Sequence, residues 1–438
     1  MSTIVGILVG ILIFCIIIVF HEFGHLIIAK RNGISVPEFQ VGFGPKLCKF
    51  KIGETEYSIR LILFGGACKM LGENGEAMDD TRSFTSKGPW ARLATIFAGP
   101  FFNFILAFVV SVIVIGIVGY DPAYVTSVST DGPAAASGIK KGDIITSFNN
   151  KKIAIGRELA TYFTFNELDG SDIVVGYERE GERYTTTISP ELVRSYKLGF
   201  YYNADDTPCT ISSLVSGGVL EKAEVKANDV IVEINGVKIT SGKQFSEYIA
   251  EHPLDGSEIE ISFDRGGKGE IYTLSLIPEF VENYVIGFTY NANGREKTTP
   301  LKVIKYSFYE VRYWIVNTVK SLGLLFRGKL KSDDLGGPVR IVSELENTVE
   351  ASKSDGILYV VLNLLNWAIL LSANLGVMNL LPIPALDGGR MIFIIIELIR
   401  GKPVPPEKEG MVHAIGIIVL MALMVFVFFN DIRNVFFR

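Results

Sequence analysis

The stretch Ile16-Ile17-Ile18-Val19-Phe20-His21-Glu22-Phe23-Gly24-His25-Leu26-Ile27-Ile28-Ala29 sets two histidines and a glutamate inside an apolar run that starts near Ile4. Such a run is long enough to cross a hydrocarbon core, which takes ~20 helical residues. The first basic residues after it are Lys30 and Arg31. At ~1.5 Å of rise per residue, Glu22 lies ~12 Å beneath that boundary. Ionisable groups at such depth are costly, and their default reading is functional. Separation by four puts His21 and His25 on one helix face, where both imidazoles can bind one metal ion and the intervening carboxylate can reach a water on it. His-Glu-x-x-His in this setting predicts a zinc site with Glu22 as general base.

The rest of the chain fits a membrane protein with soluble attachments. Its 438 residues are 48% hydrophobic, and the mean hydropathy is +0.34, too apolar for an average soluble enzyme. Apolar stretches at about 4–29, 93–120, 356–386 and 411–430 are each long enough to span a bilayer. The first has no basic residue ahead of it and no small-residue cleavage site, so it is expected to be retained as a helix. Lys and Arg crowd the segment from Lys30 to Arg92 and recur between the third and fourth spans at Arg390, Arg400, Lys402 and Lys408. By the positive-inside rule those segments are cytosolic, and both termini and the stretch from Asp121 to Asp355 are extracytoplasmic. A net charge of −5 provides no broad basic surface, which excludes nucleic acid as a partner. Cys15 lies in a span, Cys48 and Cys68 in the cytosolic segment and Cys209 outside, and none shows zinc-site spacing, so they read as free thiols.

The extracytoplasmic stretch contains a tandem repeat. Val125-Thr-Ser-Val matches Ile211-Ser-Ser-Leu, Gly142-Asp143-Ile144-Ile145 matches Asn228-Asp229-Val230-Ile231, and Asn149 and Ile153 match Asn235 and Ile239. The copies, 121–195 and 196–292, resemble bacterial PDZ domains, which add an extended peptide to a sheet edge and hold its terminal carboxylate on backbone N–H groups. Leu198-Gly199-Phe200 resembles the carboxylate loop; a spacer without a ligand is the alternative. Over 300–327, apolar residues at alternating three and four spacing predict an amphipathic helix, lying on the membrane surface or packed against the PDZ pair. Within 36–70, alternation on either side of Gly53-Glu54-Thr55-Glu56 predicts a β-hairpin beside the membrane.

A catalytic zinc usually takes three protein ligands. Asp387 follows Asn379-Leu-Leu-Pro382-Ile-Pro384-Ala-Leu386, where two prolines break the helix at membrane depth, and it is the candidate third ligand. His413, opening the fourth span, is its rival.

With these motifs assembled, the chain resembles the site-2 protease family, of the bacterial regulator-of-sigma-E protease type with two PDZ domains. The likeness runs over nearly the whole chain, through His21-Glu22-Phe-Gly24-His25, Gly42-Phe43-Gly44-Pro45, Gly65-Gly66, Gly99-Pro100-Phe-Phe-Asn103, Gly337-Pro338 and the Asn379 to Gly389 run. The resemblance implies a polytopic α-helical membrane protein with four transmembrane helices, a membrane-associated β-hairpin on the cytosolic side and two extracytoplasmic PDZ domains. It implies Zn2+ on His21, His25 and Asp387, Glu22 as base, Asn379 and Gly65-Gly66 at the substrate strand, and a PDZ pair acting as a size filter. The implied substrates are single-pass membrane proteins cut within the bilayer, such as a trimmed anti-sigma factor or a remnant signal peptide. Two positions depart from the commonest pattern: Ala67-Cys68 in the hairpin, and Arg390 where a histidine often follows Asp-Gly-Gly. The readings left in competition are a membrane PDZ scaffold with a non-catalytic metal site and, more weakly, a metal transporter.

Overall fold

The computed structural model describes residues 2–73, 80–291, 294–328 and 336–436. The chain starts with helix α1 (Ser2–Arg31), strands β1 (Glu38–Ile52) and β2 (Thr55–Lys69), and helix α2 (Pro89–Val118). A β-rich stretch follows: β3 (Tyr124–Val128), α3 (Pro133–Ala136), β4 (Ile144–Phe148), β5 (Lys151–Lys152), α4 (Gly156–Phe165), β6 (Ile173–Arg179), β7 (Glu182–Ile188) and β8 (Glu191–Lys197). It continues through β9 (Phe200–Tyr202), β10 (Ile211–Leu214), α5 (Val219–Lys222), β11 (Val230–Ile234), β12 (Val237–Lys238), α6 (Gly242–Glu251), β13 (Ile259–Asp264), β14 (Ile271–Leu276), β15 (Glu279–Val285) and β16 (Phe288–Asn291). Helices α7 (Pro300–Phe326), α8 (Pro338–Ser352), α9 (Ile357–Asn379), α10 (Asp387–Arg400) and α11 (Pro406–Phe436) complete the order. Two compact units result, one of Met1–Pro122, Ala154–Thr161 and Ala292–Arg438, the other of Ala123–Ile153 and Tyr162–Asn291.

In the first unit, α1, α2, α9 and α11 are each long and apolar enough to cross a membrane. On α1, Leu8, Leu12, Ile16, Phe20, Phe23 and Ile27 are exposed. Their spacing of three and four makes one helical stripe, as expected of a face turned to lipid. The opposite face packs closely: a Cβ on Gly24 would stand 2.4 Å from the Ala98 carbonyl oxygen of α2, and one on Gly376 of α9 would stand 2.6 Å from the Phe104 ring. Small residues at such crossings let helix backbones approach where no hydrophobic force drives them together.

Helix α7 packs against the spans and also against α4 of the first repeat, where Arg157 pairs with Glu310 and Arg312 with Glu158. Val311, Trp314 and Ile315 pack in one cluster with Ala107, Val114, Leu362 and Ile369, and Thr318 hydrogen-bonds the Asn374 side chain. Part of its apolar stripe is thus covered by the spans α2 and α9, while Leu301, Ile304, Phe308 and Val319 are exposed. The third apolar stretch also divides, with α9 ending at Asn379 and α10 starting at Asp387. Pro382 and Pro384 occupy the break, where a helix interior would lack two N–H donors.

Strands β1 and β2 form more than a plain hairpin. Lys46–Ile52 pairs with Thr55–Arg60, but Glu38–Val41 pairs on one side with Glu56–Ile59 and on the other with Gly66–Lys69. The segment Gly66–Lys69 is therefore an edge of this small sheet. Glu38 holds it together, accepting from Lys69 at 2.8 Å and Arg60 at 2.8 Å. Burial alone would raise the Glu38 carboxyl, but hydrogen bonds from Lys69, Lys46 and Arg60 outweigh it and hold the group well below the usual range.

The second unit contains the bulk of both repeats, while 121–122 and Ala154–Thr161 of the first copy belong to the first unit. Each copy's Asp143 or Asp229 accepts the N–H three residues earlier, from Lys140 at 2.8 Å and Lys226 at 2.9 Å. Each also faces an arginine, Arg179 at 2.7 Å and Arg265 at 3.7 Å. The shared aspartate is thus a turn anchor, and Asn149 and Asn235 share positive φ of 47° and 46°. The sheets do not divide at 195: β16 pairs with β3 in the order β16-β3-β4-β6-β7, and β15 pairs with β8. The chain leaves the first sheet, builds the second copy, then returns to close the first.

Candidate metal centre

Three side chains from two distant stretches meet in the first unit. The Nε2 atoms of His21 and His25 are 3.3 Å apart, and they lie 3.1 and 3.4 Å from Asp387 Oδ2. Two ligands on a tetrahedral zinc with bonds of about 2.1 Å stand roughly 3.4 Å apart. The donor set therefore fits that ion in type and spacing. Both imidazoles are buried, at 7% and 5% exposure, and Asp387 Oδ2 is buried without a regular hydrogen bond. Among the described residues no fourth His, Cys, Asp or Glu joins the group. Three ligands with an open position are the pattern of a catalytic zinc, not a structural one.

The groups around the ligands orient them. His25 Nδ1 donates to the Thr95 carbonyl at 2.9 Å, so Nε2 is left for a metal. His21 Nδ1 faces the Asn103 side-chain amide at 3.2 Å. With its oxygen turned to that nitrogen, Asn103 accepts the Nδ1 proton, which leaves His21 Nε2 for a metal. Above the rings sits Gly99, where a Cβ would fall 2.2 Å from His25 Nε2. Asn103, a polar side chain within an apolar span, was the available signal for this support; the Thr95 contact is a backbone one with no sequence signature.

Asp387 is placed by the break before it. Ala385 takes φ of 80°, and its N–H donates to His413 Nδ1 at 2.9 Å. His413 thus supports the turn and stays outside the ligand cluster. Gly388 and Gly389 start α10 where a Cβ would meet the Leu381 carbonyl at 2.1 Å and the Ile383 carbonyl at 2.5 Å. The two glycines let the turn fold back against the helix start.

Glu22, partly buried, shares the helix turn of its neighbouring histidines, and its Oε2 accepts the Cys68 N–H from the β2 edge at 2.8 Å. Next to it, Gly66 sits so close that a Cβ would lie 3.3 Å from Glu22 Cγ, and Gly65, at φ of 108°, packs against Phe43. Asn379 closes α9 just ahead of the Asp387 turn. Leu198, Gly199 and Phe200 belong to the other unit. There they border a groove of about 550 Å³ with Val219, Phe245 and Ile249.

The sequence profile of Peptidase family M50 matches residues 9–423. The chain belongs to peptidase family M50, the site-2 protease family. It is 32% identical to the zinc metalloprotease RasP of Geobacillus kaustophilus, over 99% of both chains. It is also 32% identical to RasP of Bacillus licheniformis, over 97% of this chain and 98% of that one. The regulator of sigma-W protease RasP of Bacillus subtilis is 31% identical, with 97% and 98% covered. This M50 member is accordingly a zinc metalloprotease of the intramembrane type.

Proposed function

We propose that the M50 site of this chain is built by His21, His25 and Asp387 as zinc ligands with Glu22 as general base, and that it hydrolyses peptide bonds inside the membrane segment of single-pass membrane proteins. The observation that carries the reading is the three-donor cluster at tetrahedral spacing, with a glutamate between its two histidines. Bound there, zinc supplies Lewis acidity to a peptide carbonyl and to the attacking water. Glu22 takes the proton of that water and returns it to the leaving amine. The edge Gly66–Lys69 lies at the same carboxylate. Along a strand, backbone groups point alternately to either side, so Gly66 and Cys68 turn outward while Ala67 and Lys69 face β1. A substrate helix must unwind to expose a carbonyl, and pairing with this edge satisfies the freed backbone groups.

The basic segments favour a topology with the hairpin and α10 on the cytosolic side and the second unit outside. The second unit reads as a PDZ pair that screens substrates by the size of what they carry outside, and β9, which among the described strands pairs with β10 alone, leaves an edge for a peptide end. The name of the Bacillus subtilis relative favours a membrane anti-sigma factor as one substrate; remnant signal peptides are another of the same chemistry. The test is cleavage of a truncated single-span substrate by purified, zinc-quantified protein, wild type against Glu22→Gln. Product from wild type alone, with zinc retained in both, supports the reading; equal product from both removes Glu22 from its role.

A further inference from the structure

Helix α10 carries Asp387 in its first turn and Arg390 one turn on. The Arg390 guanidinium pairs with the Glu73 carboxylate, which also accepts the Met70 N–H at 3.4 Å. Met70 follows the edge segment, in which the Cys68 N–H holds Glu22 at 2.8 Å. A line of bonded groups thus reaches from the base, along the edge, to the helix bearing the third ligand. Apolar packing follows the same line, since Ile394 shares one buried cluster with Cys68, Met70, Phe84 and Ile96. Ile394 is four residues from Arg390 and therefore on its helix face.

A second pair, Arg92 with Glu397, ties α10 to α2. The two pairs differ in burial: side-chain exposure is 11% and 13% for Arg92 and Glu397, against 30% and 20% for Arg390 and Glu73. Both border a cavity of about 570 Å³ that also includes Phe84, Phe393 and His413. The deeper pair fixes the helix to the membrane core. The shallower one joins that helix to the strand edge and lies where water reaches it.

We propose that Arg390 and Glu73 form a clasp that sets the spacing between the edge Gly66–Lys69 and Asp387, and are positioning residues for the peptide strand delivered to the metal. The inference rests on the intramembrane-peptidase reading of the site. A strand paired to the edge moves with the edge, so its scissile carbonyl is only as well placed as the edge is. A misplacement of about 1 Å costs roughly 100-fold in rate. Two partners on separate elements, each with one charge, provide a test that a merely structural role does not pass.

The experiment uses the full chain in detergent and compares Arg390→Gln, Glu73→Gln, the single reversals Arg390→Glu and Glu73→Arg, and the double reversal. Cleavage of a truncated single-span substrate gives kcat and KM, zinc content is measured, and alkylation of Cys68 by a maleimide is followed by peptide mapping. The single variants should lose at least ~10-fold in kcat with KM within ~3-fold and zinc unchanged, the split expected of misplacement. Cys68, 7% exposed, should alkylate faster in them. The double reversal should recover both rates relative to either single reversal. Unchanged kcat and labelling in the single variants, zinc loss as the main effect, or a double reversal no better than the single ones overturns the clasp. Failure of the peptidase reading looks different: wild type then yields no product, while the Cys68 labelling of the same variants still decides the clasp.

Discussion

Two short strand edges in this molecule, Gly66–Lys69 and Phe200–Tyr202, differ in what borders them. At Gly66–Lys69 the edge is bounded by glycine and by the carboxylate of Glu22, which takes the Cys68 N–H. Side chains there are few, so the edge can accept a strand of almost any sequence. At Phe200–Tyr202 the edge borders a groove with Phe245 and Ile249, where side chains of an added strand would be read by apolar contact. Under the proposed function, the first edge serves chemistry on a backbone and the second recognition of side chains.

The largest test of this contrast is Glu22→Gln. Cleavage should fall ~100-fold to 10,000-fold, the range for loss of a general base, with zinc retained; a smaller loss would mean the first edge does not serve chemistry. Next is Gly99→Ala. The new methyl would meet His25 Nε2 at 2.2 Å, whereas Gly116 on the same helix has open space around it. Zinc content should collapse for position 99 and stay unchanged for Gly116→Ala, which should stabilise α2 slightly, by up to ~1 kcal/mol. Third, Ile249→Asp should weaken binding of a peptide with an apolar C-terminus to the full chain by ~10-fold or more, read by fluorescence anisotropy. Equal affinity would move recognition away from the second edge.

The smallest effect concerns the core beneath that second edge. Burial pushes the Cys209 thiol up to about 12. An unfolded cysteine ionises near pH 8.5, so the folded form binds the extra proton above that point, and stability falls as pH rises from about 9 toward 12. Denaturant titrations of the wild type and Cys209→Ala across that window should show a steeper loss in the wild type.

The parts of this architecture that were readable in advance are those written locally. His21-Glu22-Phe23-Gly24-His25 carries its geometry in a four-residue spacing, and a helix is the only plausible backbone for it at that depth. Asp387 was readable because two prolines and two glycines surround it. The amphipathic period of α7 was equally visible, but a period does not say what meets each face: Val311 and Ile315 pack on α2 and α9, Glu310 and Arg312 pair with α4, and Leu301, Ile304 and Phe308 are exposed. Helix α8 went unread, although Gly337-Pro338 at its start is a regular helix opening. Its apolar positions are too few to stand out. The Arg390–Glu73 pair and the β16–β3 pairing join residues hundreds of positions apart or across a whole module. Charges and short strands of that kind have many possible partners, and only the tertiary arrangement selects one.

The return of β16 to β3 has a consequence for biogenesis. During synthesis the first sheet lacks its last strand until the ribosome has passed Asn291. At 5–20 residues per second, that leaves β3 with an open edge for roughly 8 to 30 s after Val128 is made. Over that interval the nascent stretch is a target for any passing strand, its own second copy included. Because the two copies share a pattern of residues, the interval is also one in which each can be mistaken for the other, and shielding of extended segments would matter most there.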